Sequence, residues 1–143
     1  GLRLNLDRLS GCCRGRGILL CLDAIQSLGA LPFDLEQTPA DFVVADGHKW
    51  LLAPEGLGLF YIRQQLIEGL RLHQYGWHMV QDVSDFNKKE WQPNETAQRF
   101  ECGSPNMAGI VALHASLGLL LDIGMDSVEE QVMEKSTLLS KSD

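Results

Sequence analysis

The stretch Phe42-Val43-Val44-Ala45-Asp46-Gly47-His48-Lys49-Trp50-Leu51-Leu52-Ala53-Pro54-Glu55-Gly56-Leu57-Gly58-Leu59-Phe60-Tyr61 organises the rest of the chain. Its opening four residues are apolar and read as a buried strand. A turn follows that places Asp46, His48 and Lys49 together, and a Pro/Gly-rich segment leads into another strand over Gly56 to Ile62. A lysine set directly after a buried strand, between a histidine and a tryptophan, is poorly placed for solvation alone. Burying a lysine disfavours its charged form and makes the amine a nucleophile, as a Schiff-base lysine requires. Spacing by itself does not separate this from a surface lysine in a loop. The surrounding residues do.

Upstream, Ile18 to Leu22 is a further apolar run that closes on a single acid, Asp23. About 18 residues separate that acid from Phe42, which suits a parallel crossover, a connection of about a dozen residues or more. Gly29 and Pro32 break up Ala24 to Phe33, so any helix there is short, and Thr38-Pro39 signals the turn into the next strand. Leu2, Leu4 and Leu6 alternate at the start, and Asp7 to Arg14 predicts a short helix stopped by Gly15 and Gly17. Downstream, Arg63 to Arg71 predicts a short amphipathic helix, while Leu72 to Phe100 has little periodicity and reads as long loops. Ser104 is expected to cap a helix with Pro105 at its first position. Ile110, Leu113, Leu117 and Leu121 form the apolar face of that helix, and Gly124 ends it. A last helix is expected from Asp126 to about Ser140.

The 143 residues suffice for one domain with a real core. A content of 45% hydrophobic and 22% charged residues is ordinary for a soluble globular protein. The formal net charge of −7 argues against nucleic acid or an anionic membrane as the main partner. No apolar run reaches about 18 residues, the length that a membrane span needs. Cys12, Cys13, Cys21 and Cys102 lack C-x-x-C spacing, and the adjacent Cys12-Cys13 pair is unlike a secreted disulfide framework. They read as reduced thiols of a cytoplasmic protein. His48, His73, His78 and His114 are scattered, none at zinc-ligand spacing from a cysteine, so no metal site is expected.

Asp23 and Lys49 both fall after predicted parallel strands, at the carboxyl edge where open α/β sheets bind ligands. Strands about 4.8 Å apart let the two side chains reach opposite ends of one small aromatic ring. A structural ion pair, or an aspartate capping its own turn, would place the same two residues. The functional reading is pyridoxal 5′-phosphate, with the lysine on the aldehyde and the acid keeping the pyridine nitrogen protonated so that the ring accepts electrons. A nucleotide-binding α/β domain is disfavoured, because neither a G-x-G-x-x-G nor a G-x-x-x-x-G-K-[ST] pattern is present.

The segments Leu22-Asp23-Ala24-Ile25-Gln26-Ser27-Leu28-Gly29-Ala30, Asp41-Phe42, Asp46-Gly47-His48-Lys49-Trp50 and Gly56-Leu57-Gly58 together resemble the class V aminotransferases. That group includes cysteine desulfurases, selenocysteine lyases and isopenicillin N epimerase-like proteins. Arg99-Phe100-Glu101-Cys102-Gly103-Ser104-Pro105-Asn106 resembles the family's second segment, in the same order. The resemblance implies an α/β chain. It would be part of a fold-type I large domain, a mostly parallel sheet with flanking helices, running into the start of the small domain. Residues 1–72 would belong to the cofactor-binding domain, 73–105 to a loop-rich connection and 106–143 to helices leading to the small domain. It also implies roles: Lys49 as the internal-aldimine lysine, Asp23 on the pyridine nitrogen, Gln26 on the ring's 3′-oxygen and His48 on the cofactor phosphate. Ser104 would reach the phosphate of a neighbouring subunit's cofactor, which makes a homodimer the implied assembly and a small amino acid the implied substrate.

The chain departs from the family where many members carry Ser or Thr and this one carries Asp46, a carboxylate that would repel a phosphate unless turned away. Cys102 reads as a buried small residue, because the desulfurase nucleophile lies in a later segment, and Trp50 reads as packing under the lysine turn. Relative to the family the expectation is a fragment lacking the glycine-rich phosphate turn, the ring-stacking residue and the substrate-carboxylate arginine. Its exposed sheet edge and apolar face would then seek a partner. The alternative is a non-catalytic folded remnant that self-associates.

Overall fold

The computed structural model describes residues 3–140, and its layering follows from alternation along the central strand. Strand β2 (Phe42–Asp46) turns Val43 and Ala45 into the core and leaves Phe42, Val44 and Asp46 half-buried on the opposite face. Strand β1 (Cys21–Asp23) pairs with it in parallel, Leu22 beside Val43 and Asp23 beside Val44. Strand β3 (Gly58–Ile62) runs antiparallel on the other side, Ala45 beside Leu59 and Asp46 beside Gly58. The expected crossover between the first two apolar runs is therefore present, in a mixed sheet of order β1-β2-β3. Pairing starts later than Ile18 because Asp41 takes over the entry. Its Oδ2 accepts from Leu20 N at 2.7 Å, and Leu20 O accepts from Asp41 N at 2.9 Å.

Helices cover only one face. Helix α1 (Leu6–Arg14) is capped by Asn5, whose side chain accepts from Arg8 N, and ends at Gly15. Leu6 and Cys13 pack on the cluster of Leu20, Leu22, Val43 and Ala45. Two buried hydroxyls secure the helix to the crossover: Ser10 donates to Pro39 O and Thr38 donates to Asp7 Oδ1, both at 2.6 Å. Buried hydroxyls paired in this way avoid the cost of an unmet polar group. Helix α2 (Met107–Ile123) lays Leu113 and Leu120 on Leu51 and Ala53, and the two cores meet at Leu28 and Leu59. Helix α3 (Met125–Ser140) adds Met125 and Val128 to the second core. Gly124, at φ 84°, makes the break between α2 and α3.

Several expectations change. The helix expected over Arg63 to Arg71 is a single 3-10 turn, Gln64–Leu66, since only the adjacent Leu66 and Ile67 turn inward before Gly69 and no apolar face at helical spacing packs on the rest. Helix α2 is capped by Asn106 and not by Ser104. Its inward stripe is the buried Leu113 and Leu120 with the half-buried Leu117, at spacings of four and three that share one face. Ile110 and Leu121 are exposed, the latter at 73%. Leu2 lies outside the described residues. The region from Leu72 to Phe100 is loop-rich as expected, yet it closes around the fully buried Met79. Asn94 N donates to Met79 O at 2.7 Å and the Gln98 side chain donates to His78 O at 3.0 Å. This loop region meets the open face of the sheet through Phe100, edge-on to Phe60 at 5.6 Å, and Phe60 in turn stacks with Phe42.

Gly29 joins the turn after β1 to the lysine turn. Its φ is 94°, and a Cβ there would sit 2.4 Å from Trp50 O. Gly29→Ala is expected to destabilise the fold by at least about 2 kcal/mol, from left-handed strain and overpacking together. Gly11→Ala in α1, where nothing lies within 4 Å of the added carbon, is expected to stabilise it by up to about 1 kcal/mol. Thermal unfolding of the two variants measures both signs, and a neutral Gly29→Ala would show that this close approach is not needed.

Candidate functional site

The carboxyl ends of β1 and β2 and the start of β3 frame a hollow of about 340 Å³, lined among others by Asp23, Val44, Asp46, Gly56 and Leu57. Asp23, Val44 and Asp46 share one face by register, so two carboxylates stand over an apolar wall. Asp23 Oδ1 accepts from Ile25 N at 3.0 Å, so the acid caps its own turn. A carboxylate has roughly four lone-pair sites, and this contact orients it while leaving acceptors for a ligand.

The lysine turn is built from the residues that follow it. Leu51 and Ala53 are buried at 3% and 9% exposure under Leu113 and Leu120 of α2. Gly47 N donates to Leu57 O at 2.8 Å and Ala53 N donates to Gly47 O at 2.9 Å. A Cβ on Gly47 would crowd Leu57 O at 3.1 Å, so the approach calls for glycine. Leu52, between the two buried residues, is held at φ 59°, the one non-glycine residue with positive φ among the described residues. Such a conformation costs about 1–2 kcal/mol and persists where the surroundings over-determine it, as they tend to at ligand sites.

The burial expected for Lys49 is corrected: the residue is exposed, and so is Asp23. Leu51, and not Trp50, packs beneath the turn, and Trp50 is 41% exposed. Asp46 turns toward His48, whose Nδ1 lies 3.2 Å from Asp46 Oδ1. Cys102 is half-buried, with its Sγ 3.9 Å from Gln74 Oε1. The structure thus brings Asp23 and Asp46 to one hollow, joins His48 to Asp46, and sets Lys49 next to His48 on an outward turn. Gln26 lies exposed in the turn after β1, and Ser104 is exposed in the approach to α2. Lys49, His48, Gln26 and Ser104 are not in the lining of the hollow.

Asn106 was not singled out from the sequence. Its Oδ1 accepts from Gly109 N and its Nδ2 donates to Gly56 O, both at 3.0 Å, so it draws the start of α2 to the rim of the hollow. An Asn directly before an apolar run was the available signal, since Asn caps helices as well as Ser does. Among the described residues there is no cluster of three or more metal-ligating side chains, and no single helix is long and apolar enough to cross a membrane.

The Aminotransferase class-V family pattern matches residues 1–142, and the chain belongs to that family. A probable cysteine desulfurase of Pyrococcus abyssi is 30% identical over 131 residues, 92% of this chain and 32% of the relative. A probable cysteine desulfurase of Streptomyces coelicolor is 37% identical over 112 residues, 78% of this chain and 26% of the relative. Among solved structures, the cysteine desulfurase CsdA of Escherichia coli aligns at TM-score 0.83 with 29% identity, covering 96% of this chain and 34% of that one. The cystine C-S lyase C-DES, in complex with its product cysteine persulfide, aligns at TM-score 0.79 with 26% identity over 91% of this chain and 34% of that one. A variant of the same lyase carries glycine covalently linked to its PLP cofactor. The family is PLP-dependent. The chain spans about a third of the length of these relatives.

Leu52→Gly is expected to stabilise the protein by up to about 1 kcal/mol, because glycine adopts the left-handed region freely and the leucine side chain is already 58% exposed. Chemical denaturation measures it. A loss of stability would mean that the turn is not strained.

Proposed function

We propose that Lys49 is the residue through which a class V enzyme holds pyridoxal 5′-phosphate, and that the whole protein acts on a small amino acid. The strained turn at Leu52, on which Lys49 stands exposed three residues after Asp46 of the hollow's lining, carries this reading. The donor set fits the cofactor: a preoriented carboxylate at one strand end, and an amine and an imidazole after the next. Asp23 would hold a proton at the pyridine nitrogen, Gln26 would meet the 3′-oxygen, and His48 the phosphate. Ser104, with the positive end of the α2 dipole, would serve the phosphate held by a second copy. When bound, the cofactor supplies an electron sink for a carbanion. The Lys49 amine would move a proton at the α- or β-carbon of the substrate, while Val44 and Leu57 keep water from one side of the hollow.

A second reading, a non-catalytic folded remnant that self-associates, is favoured by the exposure of Asp23 and Lys49. It is also favoured by Val111, Leu119, Leu121 and Ile123 of α2, which stand 52–73% exposed. Both readings include self-association, with a homodimer as the assembly. The division into a large-domain part over 1–72, a connection over 73–105 and helices over 106–143 belongs to the first.

Titration with pyridoxal 5′-phosphate separates them. The enzyme reading expects a visible absorption band that borohydride fixes as added mass on the Lys49 peptide, and its loss in Lys49→Ala. No band in the wild-type chain at cofactor excess would leave the remnant. For the assembly, analytical ultracentrifugation is expected to show mass rising with concentration in the wild type. The double variant Val111→Lys, Leu121→Lys should stay monomeric, and a wild type that is monomeric at every concentration would refute self-association through α2.

A further inference from the structure

Residues 54–56 carry the chain from the lysine turn to β3, and Gly56 and Leu57 line the hollow whose other strand ends bear Asp23 and Asp46. Little holds this segment. Pro54 has no backbone N–H, all three residues are exposed, and Gly56 is left-handed at φ 85°. The bonds from Gly47 N to Leu57 O and from Ala53 N to Gly47 O bracket the segment and stop at its ends. Between them, a single hydrogen bond reaches it among the described residues: Asn106 Nδ2 donates to Gly56 O at 3.0 Å.

The other end of the same amide is also engaged. Its Oδ1 accepts from Gly109 N at 3.0 Å and caps α2. A Cβ on Gly109 would lie 2.6 Å from Asn106 Nδ2, so glycine leaves the side chain room to lie over the helix start. A Cβ on Gly56 would meet the same nitrogen at 3.6 Å, which is ordinary contact, so wall and helix touch through this one amide. The two bonds have different chemical needs. A cap needs only an oxygen, which Ser or Asp supplies as well as Asn does. The bond to Gly56 needs a donor one bond further out than Ser reaches, and an ionised Asp has none.

We propose that Asn106 is a positioning residue for the ligand of the hollow. Helix α2 is packed on the buried Leu51 and Ala53, and Asn106 uses that helix as the anchor from which it holds Gly56 and Leu57 as a wall. A ligand then meets a wall already in place and does not bear the cost of ordering it. That the ligand is pyridoxal 5′-phosphate rests on the reading of the preceding section; the holding of the wall does not.

Two backbone amides read the two bonds in the cofactor-free chain. Gly109 N–H reports the cap, and Gly47 N–H, on Leu57 O at 2.8 Å, reports the wall. In Asn106→Ser and Asn106→Asp the ratio of hydrogen exchange at Gly47 to that at Gly109 is expected to rise about fivefold, the size of one neutral hydrogen bond. A general loss of stability speeds both amides alike and leaves the ratio where it was. An unchanged ratio in both variants reduces Asn106 to a cap and overturns the proposal.

Ligand affinity is read from the visible band on titration with pyridoxal 5′-phosphate and with pyridoxal, which lacks the phosphate charge. Both variants should bind each compound about fivefold more weakly than the wild type. Wild-type affinity in Asn106→Ser overturns the positioning role, and so does a loss confined to Asn106→Asp with the phosphorylated compound, which charge alone would produce. A wild-type chain that gives no band overturns the assignment of the ligand together with the reading beneath it, and the exchange ratio still decides whether Asn106 holds the wall.

Discussion

The burial of Leu51 and Ala53 beneath Leu113 and Leu120 is the constraint from which the site takes its shape. Two apolar residues with one residue between them turn inward onto α2 while Ala53 N closes back on Gly47 O at 2.9 Å, and the tight reversal that meets both demands holds Leu52 in a left-handed backbone. The same pull fixes the direction of the turn just before it, and Lys49 is carried to the surface beside the strand ends. Gly47 and Gly29 allow the close approaches this requires, one against Leu57 O and the other against Trp50 O. The lysine is therefore positioned by packing behind it and by the backbone bond from Leu52 N to its carbonyl at 3.1 Å. Such an arrangement leaves the amine free for chemistry and places the strain in the backbone.

The sheet divides the molecule by face. Leu22, Val43, Ala45 and Leu59 take the helices, and the face with Asp23, Val44 and Asp46 is left to the hollow and to the aromatic row of Phe42, Phe60 and Phe100. Asn106 then links the two sides, because it caps the helix that packs on the covered face and holds Gly56 at the edge of the hollow. The chain covers about a third of its relatives' length, and the apolar residues left exposed on α2 accord with a surface made to be covered.

Much of this was legible residue by residue. The parallel crossover followed from two apolar runs with a connection of suitable length, and the stop at Gly124 from a glycine after a periodic stretch. The cap of α2 was misplaced by two residues because Ser104 and Asn106 are both good caps, and only the contact with Gly56 selects the second. The stripe Leu113, Leu117, Leu120 could not be separated from its neighbours because α2 is apolar on nearly every side. The burial of Lys49 was misjudged for a related reason: a run of Trp, Leu, Leu and Ala after the lysine does not say which of them turns inward.

Strand order by apolar run, the acid and the amine after successive strands, and the family those segments resemble are properties of local pattern and spacing, and so were readable along the chain. Which side of each turn faces the core is different. It depends on what α2, arriving more than fifty residues later, lays against Leu51 and Ala53. The exposure of Lys49 and the left-handed Leu52 descend from that long-range packing, and no local pattern encodes them.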